Sequence, residues 1–450
     1  MDNPLQNCLA SDLHLHLAGS VYAEDYFDIA RDIYPFIDWH SQDFVTEYRR
    51  VFQWEQFDPQ ALFERAIADP KQFGKLKRAY VFTPEDSGNF ERFMWKYRFF
   101  SRLWGYGWEL DLNTAVSIID HVLTHHHQQG LHYVEYRCGL FGTHEQQIER
   151  YILLAEQMQK HYHAQFTAKL ILPISRDQTE CWQRWQVVQD LLIRRPDLAA
   201  IIVGIDFASI EEGYPPNQLR PFLQSWHQFN QTYPHLALDL VYHVGETFFD
   251  KSLESAIRWC HEAALIGAKR LGHCIALGLD PEIATQRRAH AHEQELVSER
   301  LDQIAYDLTY QTQLQNYSIP IDRECLEQEQ ADLLKLPFDD MVIRPYSPQR
   351  FQDICQRQQF VLDQFTTLGT VIECCPTSNL RIGAVPDATH HPVHKFLASD
   401  VNLVICTDDP GTFDIDLQHE LNWVLQHTDY DVQSLAQRLG DPYRFRLGQS

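Results

Sequence analysis

Short apolar runs recur along this chain, each followed by a polar turn and then by a stretch whose apolar residues have helical spacing. Eight runs have the β-branched and aliphatic content of buried strands: 9–17, 131–138, 168–174, 200–207, 237–244, 270–273, 370–375 and 402–407. Helical segments lie between most of them, among them 145–162, 179–193 and 251–266. In the last of these Leu253, Ile257, Ala264 and Leu265 share a face, and Gly267 offers a C-terminal cap. Strands alternating with helices predict an α/β fold with a parallel sheet, and eight is the number that closes a (β/α)₈ barrel of the TIM type.

Two stretches exceed an ordinary connection. The first, 21–113, is rich in aromatics and reads as helices packed over one end of the barrel. Within it, the cluster from Phe90 to Trp104 reads as core rather than as a surface for stacking substrate. The second, 279–353, is a large insertion after the sixth strand, more polar, with a basic-then-acidic helix expected over 286–307. It leaves the strand on the face where barrel enzymes carry their sites, so it either roofs the pocket or is an oligomer contact remote from it. No linker divides the sequence, so 1–450 is expected to be one domain with these two elaborations. The barrel's last helix is expected to be short.

Charge narrows the partners. The 450 residues hold 62 acidic and 38 basic side chains, a formal charge of −24, which argues against a nucleic acid or an anionic membrane as a general partner. The longest apolar stretch, 198–205, is too short to cross a bilayer, and the start of the chain lacks the basic and apolar blocks of a signal peptide. A soluble, cytoplasmic protein is expected. Ten cysteines without any C-x-x-C spacing read as reduced thiols rather than as a disulfide framework or a zinc ribbon.

The chemistry concentrates in histidines and carboxylates at strand ends. His14 and His16 alternate with leucines in the first strand, so a period of two puts both imidazoles on one side. The same spacing at His125/His127, His161/His163 and His290/His292 falls in helical or polar segments, where such residues diverge. His243 and Glu246 close the fifth strand, His273 the sixth, and Asp408 and Asp409 the eighth. A barrel gathers all these ends on one face. Three imidazoles and a carboxylate suit one zinc ion with an open position for water, whose pKa such a metal lowers towards ~7. Glu246 is then placed as a proton shuttle, His273 and Asp408 orient the hydroxide, and Asp409 faces substrate.

These motifs resemble those of the adenosine deaminase family of the amidohydrolase superfamily. They stand here as Leu13-His14-Leu15-His16-Leu17-Ala18-Gly19-Ser20, Val134-Glu135-Tyr136-Arg137, Gly204-Ile205-Asp206-Phe207-Ala208, His243-Val244-Gly245-Glu246, Arg270-Leu271-Gly272-His273, Cys375-Pro376-Thr377-Ser378-Asn379 and Thr407-Asp408-Asp409-Pro410. The resemblance implies one zinc ion per chain on His14, His16, His243 and Asp408. It implies Glu246 as the acid for a purine ring nitrogen, His273 as partner of the attacking hydroxide, and Asp409 as a contact to the imidazole side of the purine. The implied reaction is zinc-dependent hydrolytic deamination of adenosine or a related 6-aminopurine nucleoside, releasing ammonia. The ligand is then a small purine nucleoside or analogue, and a homodimer is expected only as a general tendency of soluble enzymes. Nucleic-acid-editing zinc deaminases use Pro-Cys-x-x-Cys, which is absent here.

Three departures bear on substrate. Ala18 stands where the family usually has an Asp that meets the ribose 5′-hydroxyl. Ser209 replaces a usual Gly at the purine contact, and Cys274 replaces a Gly after His273. Ala18 points to a 5′-modified adenosine, with adenine or another aminopurine as further alternatives. A non-catalytic nucleoside-binding protein on the same barrel is the reading from another class.

Overall fold

The structure, a computed structural model, describes residues 3–161, 165–287, 293–382 and 385–448. Its centre is an eight-stranded parallel sheet: β1 (Ser11–His16), β2 (Tyr133–Arg137), β3 (Thr167–Pro173), β4 (Ile202–Phe207), β5 (Asp239–Val244), β6 (Arg270–His273), β9 (Val371–Cys374) and β10 (Asn402–Ile405). Each pairs with the next, and β6 pairs with β9 in register from Arg270↔Val371. The remaining gap closes through a bridge between Leu15 and Asp408, with Asp408 N donating to His14 O at 2.9 Å and His16 N to Asp408 O at 2.8 Å. All eight predicted strands are present within one or two residues at most ends, and the sheet is a nearly closed barrel. The predicted helices appear as His144–Lys160, Gln178–Arg194 and Leu253–Leu265, and Gly267 follows the last at φ +99°. That left-handed angle favours glycine.

The barrel interior carries a charged layer beside its aliphatic ones. Arg137 Nη2 and Arg270 Nε each lie 2.6 Å from Glu373, while Arg137 also reaches Asp206 and Arg270 reaches Glu135. All five side chains are fully buried. Such a set is tolerable only because every charge is paired and hydrogen-bonded, and removing one member strands its partner. The segment Pro442–Phe445 and the residues after it close the opposite end: Leu447 N donates to Glu135, and Gly448 N to Asp239. The last helices are short, Leu417–His427 and Val432–Leu439.

The stretch 21–113 forms helices, the longest being Phe90–Glu109. They sit over the C-terminal ends of the strands, where Phe82 N bonds Thr412 O and the Tyr80 hydroxyl bonds Val21 O. The insertion differs from expectation. In place of one helix over 286–307 there are a helix Pro281–Arg287, a strand β7 (Gln294–Leu296) and a helix Val297–Thr309; residues 288–292 lie outside the described residues. The reason is local pairing: β7 forms an antiparallel ladder with β8 (Met341–Ile343), and buried Glu295 is held by Arg344 at 2.7 Å. The insertion packs on outer helices through buried pairs, Arg258–Glu299, Arg357–Asp307 and Arg350–Glu254. It clasps the barrel's flank. All ten cysteines are free. No helix among the described residues is long and apolar enough to cross a membrane.

Candidate active site

At the C-terminal ends of the strands, residues far apart in sequence meet. One ligand atom each of His14, His16 and His243 lies within 4.8 Å of the others, as do those of His14, His273 and Asp408. Ring centroids are 4.6 Å apart for His14 and His243 and 5.0 Å for His14 and His273. Asp408 Oδ1 stands 3.4 Å from His14 Nε2 and 3.2 Å from His16 Nε2. The period-two alternation of β1 sets the first pair. His273 and Asp408 reach the cluster from strand ends at φ +65°, a left-handed backbone that costs a non-glycine residue about 1–2 kcal/mol. Strain of this kind gathers at functional sites.

Behind the imidazoles lies a layer that fixes their tautomers. His14 Nδ1 is 2.7 Å from Glu373, His243 Nδ1 is 3.1 Å from Asp206, and His273 Nδ1 is 3.0 Å from Asn379 Oδ1. With these acceptors each ring carries its proton on Nδ1 and turns a bare Nε2 inward. His14 Nε2 and His243 Nε2 are buried and have no hydrogen-bond partner. Unpaired buried acceptors facing one point are what a metal ion would satisfy, and three imidazoles with a carboxylate are the donor set such an ion takes.

Electrostatics sharpen the picture. Burial would raise the Asp408 carboxyl, but the close imidazoles of His14 and His16 hold it well below the usual range. Burial likewise opposes ionisation of Asp206 and Glu373, and contact with His243 and Arg137 for Asp206, and with Arg137 and Arg270 for Glu373, keeps both low. Burial pushes the His243 ring down to about 3. Asp409 differs: burial and the adjacent Asp408 raise it well above the carboxylate range. Its Oδ1 is buried without a partner, and it fills the space where a Cβ on Gly19 would come within 1.6 Å.

Glu246 is three-quarters buried, with Oε2 3.7 Å from His273 Nε2. Its backbone is clamped by Glu211, a buried carboxylate that accepts from the N–H groups of Gly245 (3.0 Å), Glu246 (3.2 Å) and Thr247 (3.4 Å). Ala18 and Ser209 lie together on the wall of a cavity of about 350 Å³ that opens beside His16. Cys274, in contrast, is a fully buried free thiol turned towards the thiol of Cys260, and it is not part of that cavity's lining. The other His-x-His pairs stay apart from the site: His125 bonds Asp25 and His161 bonds Asp120, while His163, His290 and His292 lie outside the described residues.

The sequence reading missed Glu373, Asp206, Arg137, Arg270, Glu211 and Asn379 as supporting groups. Its available signal was charge inside otherwise apolar strands, as in Val371-Ile372-Glu373-Cys374.

The profile described as adenosine deaminase matches residues 59–297 and 353–440, omitting most of the insertion. The chain belongs to the adenosine deaminase family. An aminodeoxyfutalosine deaminase of Acidothermus cellulolyticus is 46% identical over 52 residues, 12% of this chain and 15% of that protein. An adenosine deaminase of Shewanella loihica is 41% identical over 66 residues, 15% of this chain and 20% of that protein. The matches thus span a fifth or less of these relatives' length. The fold is shared with an adenine deaminase of Arthrobacter aurescens, at a TM-score of 0.54 and 16% identity over 98% of this chain and 94% of that one.

Proposed function

We propose that this protein is a zinc-dependent hydrolase that removes the amine of a 6-aminopurine nucleoside or a related compound. The carrying observation is the pair of buried, partnerless Nε2 atoms of His14 and His243, converging with His16 and Asp408. These four residues would hold the ion. A zinc ion there supplies Lewis acidity that makes a nucleophile of water near neutral pH.

The chain's own groups do the rest. His273, with Nδ1 committed to Asn379, offers Nε2 as acceptor for the proton of the attacking water. Glu246 beside it gives a proton to the ring nitrogen next to the amine-bearing carbon, which makes that carbon electrophilic. A carbon–oxygen bond forms there, the carbon–nitrogen bond breaks, and the amine leaves as ammonia after taking up the proton that His273 accepted from the water. Asp409 Oδ1, buried and without a partner, is placed to hydrogen-bond the far edge of the base. The left-handed turns at His273 and Asp408 fix the geometry before substrate arrives, so little reorganisation is needed.

The reading is tested by ammonia release from the zinc-loaded protein with adenosine, 2′-deoxyadenosine and adenine. Release from at least one, lost in Glu246→Gln with zinc retained, is expected. Binding without release in the unaltered protein would favour the non-catalytic alternative.

A further inference from the structure

The segment after β5 that bears Glu246 is gripped by charge from two sides. Buried Arg176, beyond β3, sends Nη2 to the carbonyls of Phe207 and His243, each at 2.6 Å. Buried Glu211, beyond β4, takes the amide of Gly245 on Oε1 and those of Glu246 and Thr247 on Oε2. A carboxylate serves three donors in this way only while ionised, because the neutral acid turns one oxygen into a donor. Burial pushes the Glu211 carboxyl up, and the cations of Lys251 and Arg176 oppose that. The clamp on Glu246 therefore depends on cations held close to Glu211.

One of these cations has a support of its own. Lys251 is fully buried, with Nζ 2.6 Å from Asp250 Oδ1, 3.9 Å from Glu211 Oε1 and 4.0 Å from the centre of the Trp259 ring. Carboxylates on one side and a ring face on the other are what an ammonium needs when it is taken out of water. Asp250 Oδ2 also accepts from Gly213 N at 2.8 Å, which ties the segment after β4 to the segment after β5. The indole can serve Lys251 only if its plane is fixed. Trp259 is buried, and its Nε1 donates to Glu299 Oε2 at 3.2 Å, an oxygen that Arg258 Nη2 meets at 2.5 Å. Glu299 stands in the first turn of the helix Val297–Thr309, inside the insertion. A line of buried contacts thus runs from Glu299 through Trp259, Lys251 and Glu211 to the amide of Glu246. Asp307, ~12 Å further along the same helix, pairs with Arg357 instead.

Resting on the deaminase reading, we propose that Glu299, Trp259 and Lys251 are positioning residues for the proton donor. Through Glu211 they fix the loop that bears Glu246, so the insertion helps to set the rate of the reaction without touching substrate.

The experiment uses the zinc-loaded full chain and whichever of adenosine, 2′-deoxyadenosine and adenine it turns over best. It reads kcat and KM for ammonia release, bound zinc, and hydrogen exchange at the amides of residues 245–247. Lys251→Met should lower kcat by about 10–100-fold, the effect of misplacing a reacting group by roughly 1 Å, with KM nearly unchanged and zinc retained. Exchange at 245–247 should quicken by about tenfold while the rest of the barrel keeps its protection. Lys251→Arg, whose guanidinium also stacks on an indole, should recover most of both. Glu299→Gln keeps an acceptor for Trp259 and should lose less than Glu299→Leu. Asp307→Ala, which destabilises by another route, should leave kcat and this exchange nearly unchanged. Unaltered kcat and exchange in Lys251→Met, no recovery in Lys251→Arg, or equal losses in Asp307→Ala would overturn the proposal. If Lys251→Met does not fold, the two Glu299 variants decide by the same readouts. If the unaltered protein releases no ammonia from any of the three compounds, the deaminase reading fails. Exchange at 245–247, read without substrate, still decides the clamp, and unchanged exchange in the Lys251 and Glu299 variants rejects it.

Discussion

Gly19 shows how tightly single residues are constrained around the site. A methyl group there would collide with Asp409 Oδ1, so Gly19→Ala must displace that carboxyl. We expect a large rise in KM with zinc content unchanged, measured by steady-state kinetics beside metal analysis; unaltered kinetics would show that Asp409 does not touch substrate. Glu373 acts at one remove. It holds His14 and is itself held by Arg137 and Arg270. Glu373→Gln should weaken zinc affinity by ~10–100-fold, as loss of an outer carboxylate on a ligating histidine does. Competition with a chelator measures this, and undiminished affinity would remove Glu373 from the account. The convergence of His14, His16, His243 and Asp408 was legible because each stands at a strand end. Glu373 was not, because it lies within a strand and a barrel interior is ordinarily filled by aliphatic layers.

At the scale of elements, strands were easier to read than what lies between them. A short apolar run flanked by polar turns has one physical meaning in this context, so all eight barrel strands could be placed. The segment 286–307 has helical composition throughout, yet its middle is captured by β8, a partner that arrives about 45 residues later and that no local pattern announces. The helix Phe90–Glu109 was half-legible: its aromatic content spoke for core, but which ring faces inward depends on what packs on each side. The insertion is joined to the barrel flank by buried ion pairs, and none of its described residues lines the cavity. Asp307→Ala, which strands buried Arg357, should therefore cost about 3–5 kcal/mol in urea unfolding while leaving kcat within twofold. Loss of activity in a folded variant would instead place the insertion in the catalytic machinery.

The molecule as a whole should be acid-sensitive. Burial lowers His126 and His391 to about 3 and His261 to about 4, and none of these belongs to the metal-donor cluster. Each stays neutral in the folded state but binds a proton near pH ~6.5 when the chain unfolds. Their contribution is full above that pH and is lost as pH falls from ~6.5 towards 3–4, by up to about 1.4 kcal/mol per pH unit for each ring. Unfolding midpoints measured between pH 7.5 and 4.5 should fall, and His261→Phe should flatten the slope; a flat profile in the unaltered protein would contradict the burial of these rings. The barrel gathers strand ends so that the four proposed metal donors, Glu246 and His273 form one site. The most direct test of that arrangement is to strip the protein of metal and return zinc in steps, counting bound ions and following ammonia release from a responsive 6-aminopurine. Activity should rise linearly and saturate at one zinc per chain. Ammonia release that survives complete removal of metal, or one bound zinc per chain with no release from any 6-aminopurine, would contradict the account.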